Sequence, residues 1–134
     1  MACKGVRTVT APQPAQPQQP RPQQVQPAPV DYKNLNSTQV SETAGYCAIV
    51  YFHAYMFYTR SGNSAKAKEF ADGAPAFFDM AKNRQAFNNA AQAQRDISKV
   101  AVETEKSAGA WYMENWLRGQ IESCRKFRAA IVNK

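Results

Sequence analysis

The sequence predicts an all-α protein, a bundle of four or five helices preceded by a disordered or extended Pro/Gln-rich N-terminal tail. After residue 30, apolar residues recur at three- and four-residue steps, as they do on one face of a helix. No stretch alternates apolar and polar residues between turn residues, as a half-buried strand would. Residues 12–29 differ sharply, with seven Pro and seven Gln in 18 positions. The chain therefore divides into a tether or spacer, residues 1–30, and a helical domain, residues 31–134.

The tail is predicted to stay solvated for a physical reason. Proline fixes the backbone angle φ and removes a hydrogen-bond donor, and glutamine offers no apolar face. Such a segment cannot bury enough surface to offset the entropy lost on ordering. Its PxxP spacings, Pro14–Pro17 and Pro17–Pro20, also fit a polyproline recognition helix, although any Pro-rich run contains them by chance.

The first helix is predicted from about Thr38 to Arg60. One face carries apolar residues at helical spacing, namely Val40, Ala44, Cys47, Tyr51, Ala54 and Tyr58. Further apolar residues fill most of the remaining surface, among them Ile49, Val50, Phe52, Met56 and Phe57. A helix that is apolar nearly all round belongs at the centre of a domain. Gly62 can end this helix in the left-handed conformation, and Asn63 or Ser64 can cap the next one.

Turn residues divide the rest of the domain. A short helix over 64–72 is broken at Gly73-Ala74-Pro75, and a second short helix is predicted over 76–82 because Pro75 suits a first helical turn. A longer helix begins near Arg84 and breaks at Gly109. The last helix is predicted over 110–132, with an apolar stripe at Trp111, Trp116, Leu117, Ile121, Cys124, Phe127 and Ile131.

Cys47 and Cys124 are the candidates for a disulfide bond. They lie on apolar faces of the first and last helices and are the only cysteines of the domain. If both point into one core, a bond between them would stabilise the fold by roughly 4 kcal/mol in the chain-entropy model and would imply an oxidising compartment. The alternative is two independent buried thiols that act as small hydrophobic residues.

No residue pattern indicates catalysis, a metal or a cofactor. The motifs of nucleotide binding, serine hydrolysis and zinc hydrolysis are missing, and the acidic residues are scattered. His53 is the only histidine and is interpreted as a core residue, since a general base needs a positioned partner. The tyrosines at 46, 51, 55 and 58 are interpreted as core residues rather than as the lining of a small-molecule pocket. We therefore predict no catalytic residues, no metal ligands and no cofactor.

A basic cluster near the C-terminus is the candidate for binding an anionic partner. It consists of Arg118, Arg125, Lys126 and Arg128. These side chains suit nucleic-acid phosphates or lipid headgroups. They equally suit a solvated face that complements the negative end of the last helix. The chain carries a net charge of +7, of which Lys4, Arg7 and Arg21 supply +3 in the tail, so the domain itself is only mildly basic.

The start of the chain resembles the layout of exported bacterial lipoproteins. Ala2-Cys3 is similar to the end of a lipobox, in which a small residue precedes the cysteine that is acylated, and a Pro/Gln-rich spacer follows. The upstream apolar positions are missing, Met1 stands where one would be, and no signal peptide is written in the sequence. The resemblance therefore implies a replaced or truncated signal. It makes Cys3 the lipid-anchor candidate and implies attachment to a membrane surface, since no run of 18 apolar residues is present to span one.

These observations predict a non-catalytic, exported, lipoprotein-like interaction protein of the cell envelope. It would be periplasmic or anchored to the outer membrane, with another envelope protein as its partner. By analogy with where such layouts occur, it would be an accessory subunit of a secretion or conjugation-type assembly. The alternative is a cytoplasmic basic adaptor that binds nucleic acid through the C-terminal helix. Nucleic acid and small molecules are the less favoured partners.

Overall fold

A computed structural model describes residues 32–132, and the predicted tether over 1–30 lies outside this range. After a short 3₁₀ turn at Tyr32–Asn34, the chain forms α1 (Ser37–Arg60), α2 (Ser64–Gly73), α3 (Pro75–Asp79), α4 (Arg84–Ala108) and α5 (Ala110–Val132). The predicted all-α class is confirmed, because the described part of the chain contains five helices and no strand.

Asparagines cap the starts of α1, α2 and α4 for the same chemical reason. The Asn36 side chain accepts a hydrogen bond from the Gln39 backbone N–H at 2.8 Å, and the Gln39 side chain accepts from the Asn36 N–H at 2.9 Å. This reciprocal pair is a capping box. Asn63 and Asn83 accept at 3.1 Å from the backbone N–H three residues on. Each cap pairs N–H groups that the first turn of a helix leaves without an intrahelical acceptor.

Two glycines and a proline set the breaks, as predicted. Gly62 and Gly109 have φ of 80° and 93°, a region that glycine enters without a steric penalty. Pro75 occupies the first turn of α3, where its missing N–H costs nothing. The α3 helix ends at Asp79 and not at the predicted Lys82, because the chain turns there into the Asn83 cap of α4.

The α1 helix is the centre of the bundle and contacts each of the other four helices. The α4 helix runs parallel to it: the Asn83 N–H donates to the Ser41 hydroxyl at 2.9 Å near one end, and Arg60 pairs with Glu105 at 3.3 Å near the other. After Gly109 the chain reverses, so α5 is antiparallel to α1. The predicted central position of the first helix is confirmed.

The core is rich in aromatic side chains. The Tyr51 ring meets the rings of Phe70 and Phe77 edge-on, with centroids 5.0 and 4.9 Å apart, and Phe77 stacks with Phe127 at 6.4 Å. Such geometries add roughly 0.5–1.5 kcal/mol per pair beyond the burial of apolar area. These rings join α1, α2, α3 and α5 into one core.

The expectation of an apolar first helix buried nearly all round needs one correction. In its C-terminal half, Phe52, Tyr55 and Met56 are 51%, 40% and 40% exposed. The reason is the placement of the neighbours: α2 and α4 flank α1 without contacting each other, so one sector of α1 is left uncovered.

Gly45 provides a test of the packing between α1 and α4. A Cβ atom there would overlap the carbonyl oxygen of Phe87, which is backbone and cannot rotate away. We expect Gly45→Ala to lower the free energy of unfolding by about 1–3 kcal/mol, measured by urea denaturation. Gly119→Ala is the matched control, because nothing lies within 4 Å of its Cβ position. It should raise stability by ~0.5–1 kcal/mol through helix propensity. Equal effects of the two variants would contradict the close approach of α1 and α4.

Candidate functional site

Cys47 of α1 and Cys124 of α5 lie at disulfide distance. Their Cα atoms are 5.6 Å apart, within the range that a disulfide requires, and their sulfurs are at bonding distance. Both side chains are completely buried. The condition for a bond, that both cysteines point into one core, is therefore met. The pair joins residues 77 positions apart, so that a bond would close most of the helical domain into one loop.

Two tyrosine hydrogen bonds lie along the same contact between α1 and α5. The Tyr46 hydroxyl donates to the Gln120 side-chain oxygen, and the Tyr58 hydroxyl donates to the Glu114 carboxylate at 3.1 Å. Burial raises the pKa of both tyrosines above the usual range, and the Glu114 carboxylate raises that of Tyr58 further. Both hydroxyls therefore stay protonated and act as donors in neutral solution.

Most of the tyrosine cluster belongs to the core, as interpreted from the sequence. Tyr46, Tyr51 and Tyr58 are buried, whereas Tyr55 is exposed. Burial also raises the pKa of Tyr51, and the guanidinium groups of Arg125 and Arg128 oppose that shift. The hydroxyl of Tyr51 thus faces two of the residues that were predicted to bind an anionic partner.

The basic residues of α5 do not act as one group. Arg125 forms an ion pair with Glu69 of α2 at 2.6 Å, and both side chains are about half exposed. Arg128 is partly buried, with a terminal nitrogen near Gly73 of α2. These two arginines bridge α5 to α2 over the Tyr51 hydroxyl, an arrangement that could not be read from the sequence.

The other two candidates of this cluster, Arg118 and Lys126, are exposed. Arg118 donates to the Asn115 side-chain oxygen at 2.9 Å, one turn away on the same helix. Lys126 is exposed and, at 100° per residue, lies roughly 160° around α5 from Arg128. The predicted role of these four residues in binding an anion or a protein partner stays a prediction.

His53 is half-buried beside the uncovered sector of α1. Its ring meets the Phe52 ring edge-on at 5.5 Å. Burial lowers the pKa of the imidazole, and the positive charges of Arg60 and Arg95 lower it further. The side chain is therefore neutral at physiological pH. It has an aromatic neighbour and two cations nearby rather than the core position expected for it.

The uncovered sector is the feature that sequence reasoning missed. We define the open face of α1 as Phe52, Tyr55, Met56 and Thr59, all of which are exposed. Their spacing of three, four and seven residues from Phe52 places them on one side of the helix. The sequence carries no signal that separates these residues from the buried ones, since aromatic and apolar side chains occur on both sides.

Two further observations bear on the kind of site. Across the described helices, no three His, Cys, Asp or Glu side chains form a group that could hold a metal ion. Within the same residues, no helix has the length and apolar content needed to cross a membrane.

Cys3, the lipid-anchor candidate, lies outside the part of the chain that the structure describes. No family model, curated protein or solved structure matches this chain.

The cysteine pair generates a stability prediction. Reducing a bond that closes a loop of this length should lower the free energy of unfolding by about 2–4 kcal/mol, because the unfolded chain regains conformational freedom. Urea denaturation with and without reductant measures the change. The double variant Cys47→Ala/Cys124→Ala retains Cys3 and is the control, since its midpoint should not respond to reductant. A wild-type midpoint that is equally indifferent to reductant would contradict the bond.

The raised tyrosine pKa values predict a loss of stability at alkaline pH. Because the folded pKa of Tyr46 lies above its unfolded value of about 10, the unfolded chain loses its proton first. The contribution of Tyr46 to the free energy of unfolding is therefore fully present below about pH 10 and is lost as the pH rises above that value. Tyr46→Phe should make the unfolding midpoint less dependent on pH in this range, whereas Tyr55→Phe at an exposed position should not. An unchanged alkaline slope in Tyr46→Phe would refute this explanation.

Proposed function

We propose that this chain is a non-catalytic, exported interaction protein of the bacterial cell envelope. A disulfide between Cys47 and Cys124 would hold its helical domain together, and a lipid on Cys3 would anchor it to a membrane surface through the Pro/Gln-rich spacer. The observation that carries the proposal is the buried cysteine pair at disulfide distance between α1 and α5.

The cysteine pair supports export through redox chemistry. Disulfides persist in the periplasm and outside the cell, whereas the reducing cytoplasm keeps most thiols free. Two thiols that pack independently need not meet, but here the side chains converge from helices at opposite ends of the domain sequence. Because both sulfurs are fully buried, a bond formed during folding would also be protected from exchange with external thiols.

An interaction role is supported by the contacts that the polar side chains make within the domain. The hydroxyls of Tyr46 and Tyr58 are engaged in bonds between α1 and α5, and Arg125 is engaged with Glu69. These groups hold helices together. The open face of α1, in contrast, presents aromatic and apolar side chains to the surroundings, a composition that is common in protein interfaces.

The finer parts of the proposal follow from the layout of the sequence. A cysteine after a small residue, a Pro/Gln-rich spacer and a compact head would suit an accessory subunit of a secretion or conjugation-type assembly, in which the head reaches a partner away from the membrane. The partner would be another envelope protein. The membrane would be contacted through the lipid alone.

The intact mass of the protein, purified from its native source with and without reductant, tests the proposal. We expect a lipid-sized addition, loss of the residues before Cys3, and a gain of two hydrogens on reduction. The Cys3→Ser variant is the control: it should lose the lipid and keep the two-hydrogen gain. An unmodified mass with free thiols at Cys47 and Cys124 would refute export and anchoring, and would favour the cytoplasmic alternative.

A further inference from the structure

We propose that the open face of α1 and the adjoining side of α4 form a groove that binds an acidic amphipathic helix of another protein. This proposal rests on the proposed function only in requiring a protein partner.

The floor of the groove is the open face of α1. Single exposed apolar residues are ordinary on protein surfaces. Here Phe52, Tyr55 and Met56 are exposed together at the spacing that one helix uses to pack against another, and Thr59 continues the row. No charged residue interrupts this row. The floor is therefore an uncharged surface on a helix whose other sides are covered by packing.

The floor stays open because of how its neighbours are placed. The α2 and α3 helices pack on one side of α1 and α4 packs on another, while α5 bridges α1 and α4. In the described part of the chain, no Cα atom of α2 lies within 8 Å of one in α4, and α3 meets α4 only near the start of α4, where Phe78 contacts Phe87. The remaining gap lies over the C-terminal half of α1. An incoming helix would cover Phe52, Tyr55 and Met56, and would supply the packing that the other sides of α1 already have.

One side of the groove carries positive charge. Arg84, Arg95 and Lys99 are exposed and, at 100° per residue, lie within roughly 60° of one another around α4. None of the three is ion-paired with a described carboxylate, whereas Arg60, Lys68, Lys106 and Arg125 all are. We call these three residues the basic wall. Because α4 packs parallel to α1, the basic wall runs alongside the open face. Arg95 is the member of the wall that is linked to the floor, since its charge adds to the effect of burial in lowering the pKa of His53, the residue that contacts Phe52.

At the end of the groove beside the start of α4, an exposed aromatic side chain and a cation again lie close together. The Arg84 guanidinium lies over the Phe87 ring at 5.2 Å, and that ring contacts Phe78 at 5.2 Å. Phe78 is 48% exposed on α3.

These features select an acidic helix as the occupant. An apolar stripe at positions i, i+3 or i+4, and i+7 would fill the floor, and carboxylates along one edge of that stripe would meet the basic wall. A second copy of this chain would bring the same uncharged face and the same cations, leaving the basic wall without counter-charges. A nucleic-acid backbone would pair with the wall but would leave Phe52 and Met56 uncovered.

Site-specific photo-crosslinking in the native source tests the groove. The photoreactive residue p-benzoylphenylalanine replaces Phe52 in the floor, and replaces Val100 as the control. Val100 is 66% exposed on the side of α4 away from its buried residues. We expect position 52, and not position 100, to crosslink to a segment of another protein with net negative charge and apolar residues at helical spacing. A crosslink to a second copy, to a neutral or basic segment or to nucleic acid, or no crosslink above the Val100 control, would overturn the proposal.

A synthetic peptide of the crosslinked segment then tests the charge complementarity. We expect Arg95→Glu/Lys99→Glu to weaken its binding about tenfold or more at low salt, and replacing the carboxylates of the peptide by lysine to recover part of that loss. Lys68→Glu on α2 is the charge-reversal control and should bind like the wild type, because the Lys68 side chain is already paired with Asp72 and is not part of the basic wall. Thermal melting verifies that each variant is folded. Equal affinities of the peptide for wild type and Arg95→Glu/Lys99→Glu would overturn the proposed role of the basic wall in binding.

The two proposals fail in distinguishable ways. Free thiols and an unmodified Cys3 in the mass measurement would refute export and anchoring. They would not affect the groove, which the crosslinking experiment tests separately. A failed crosslink with an intact lipid and disulfide would remove the groove and leave the exported, anchored protein.

Discussion

The packing of every other helix against α1 is the constraint on which this fold depends. A domain of about a hundred residues has room for one hydrophobic core, and a helix that is apolar on most of its surface must lie within it. The neighbours bury α1 unequally. Where α2, α3 and α5 meet it, rings from Tyr51, Phe70 and Phe77 close the core; between α2 and α4 it remains exposed.

The contacts of α1 with α5 and with α4 differ in kind. Along α5, Cys47 lies at disulfide distance from Cys124, and two tyrosine hydroxyls donate to polar side chains. On α4, the buried side chains of Gln94 and Ser98 have no hydrogen-bond partner within the described residues. Burying an unpaired polar group costs free energy. The polar groups described along the α1–α5 contact are therefore paired, whereas the buried face of α4 leaves two polar side chains without a partner.

The two features proposed for function use different sides of the same helix. The cysteine pair is fully buried where α1 meets α5, and the open face is exposed where α2 and α4 stay apart. A disulfide on the first side would hold α1 in position whether or not the second side is occupied. An interface of this type needs little rearrangement on binding, since its floor belongs to the most constrained helix of the domain.

Local signals determined much of this architecture from the sequence alone. Gly62, Gly109 and Pro75 set the breaks through their own backbone preferences, asparagine caps set the starts of α1, α2 and α4, and periodicity placed Cys47 and Cys124 on apolar faces of their helices. Only the tertiary structure decided which sector of α1 stays open and that Arg125 reaches Glu69. Both depend on where α2 lies relative to α4 and α5, which is set by contacts between residues distant in sequence. Aromatic residues at helical spacing look alike in a sequence whether a neighbouring helix covers them or leaves them exposed.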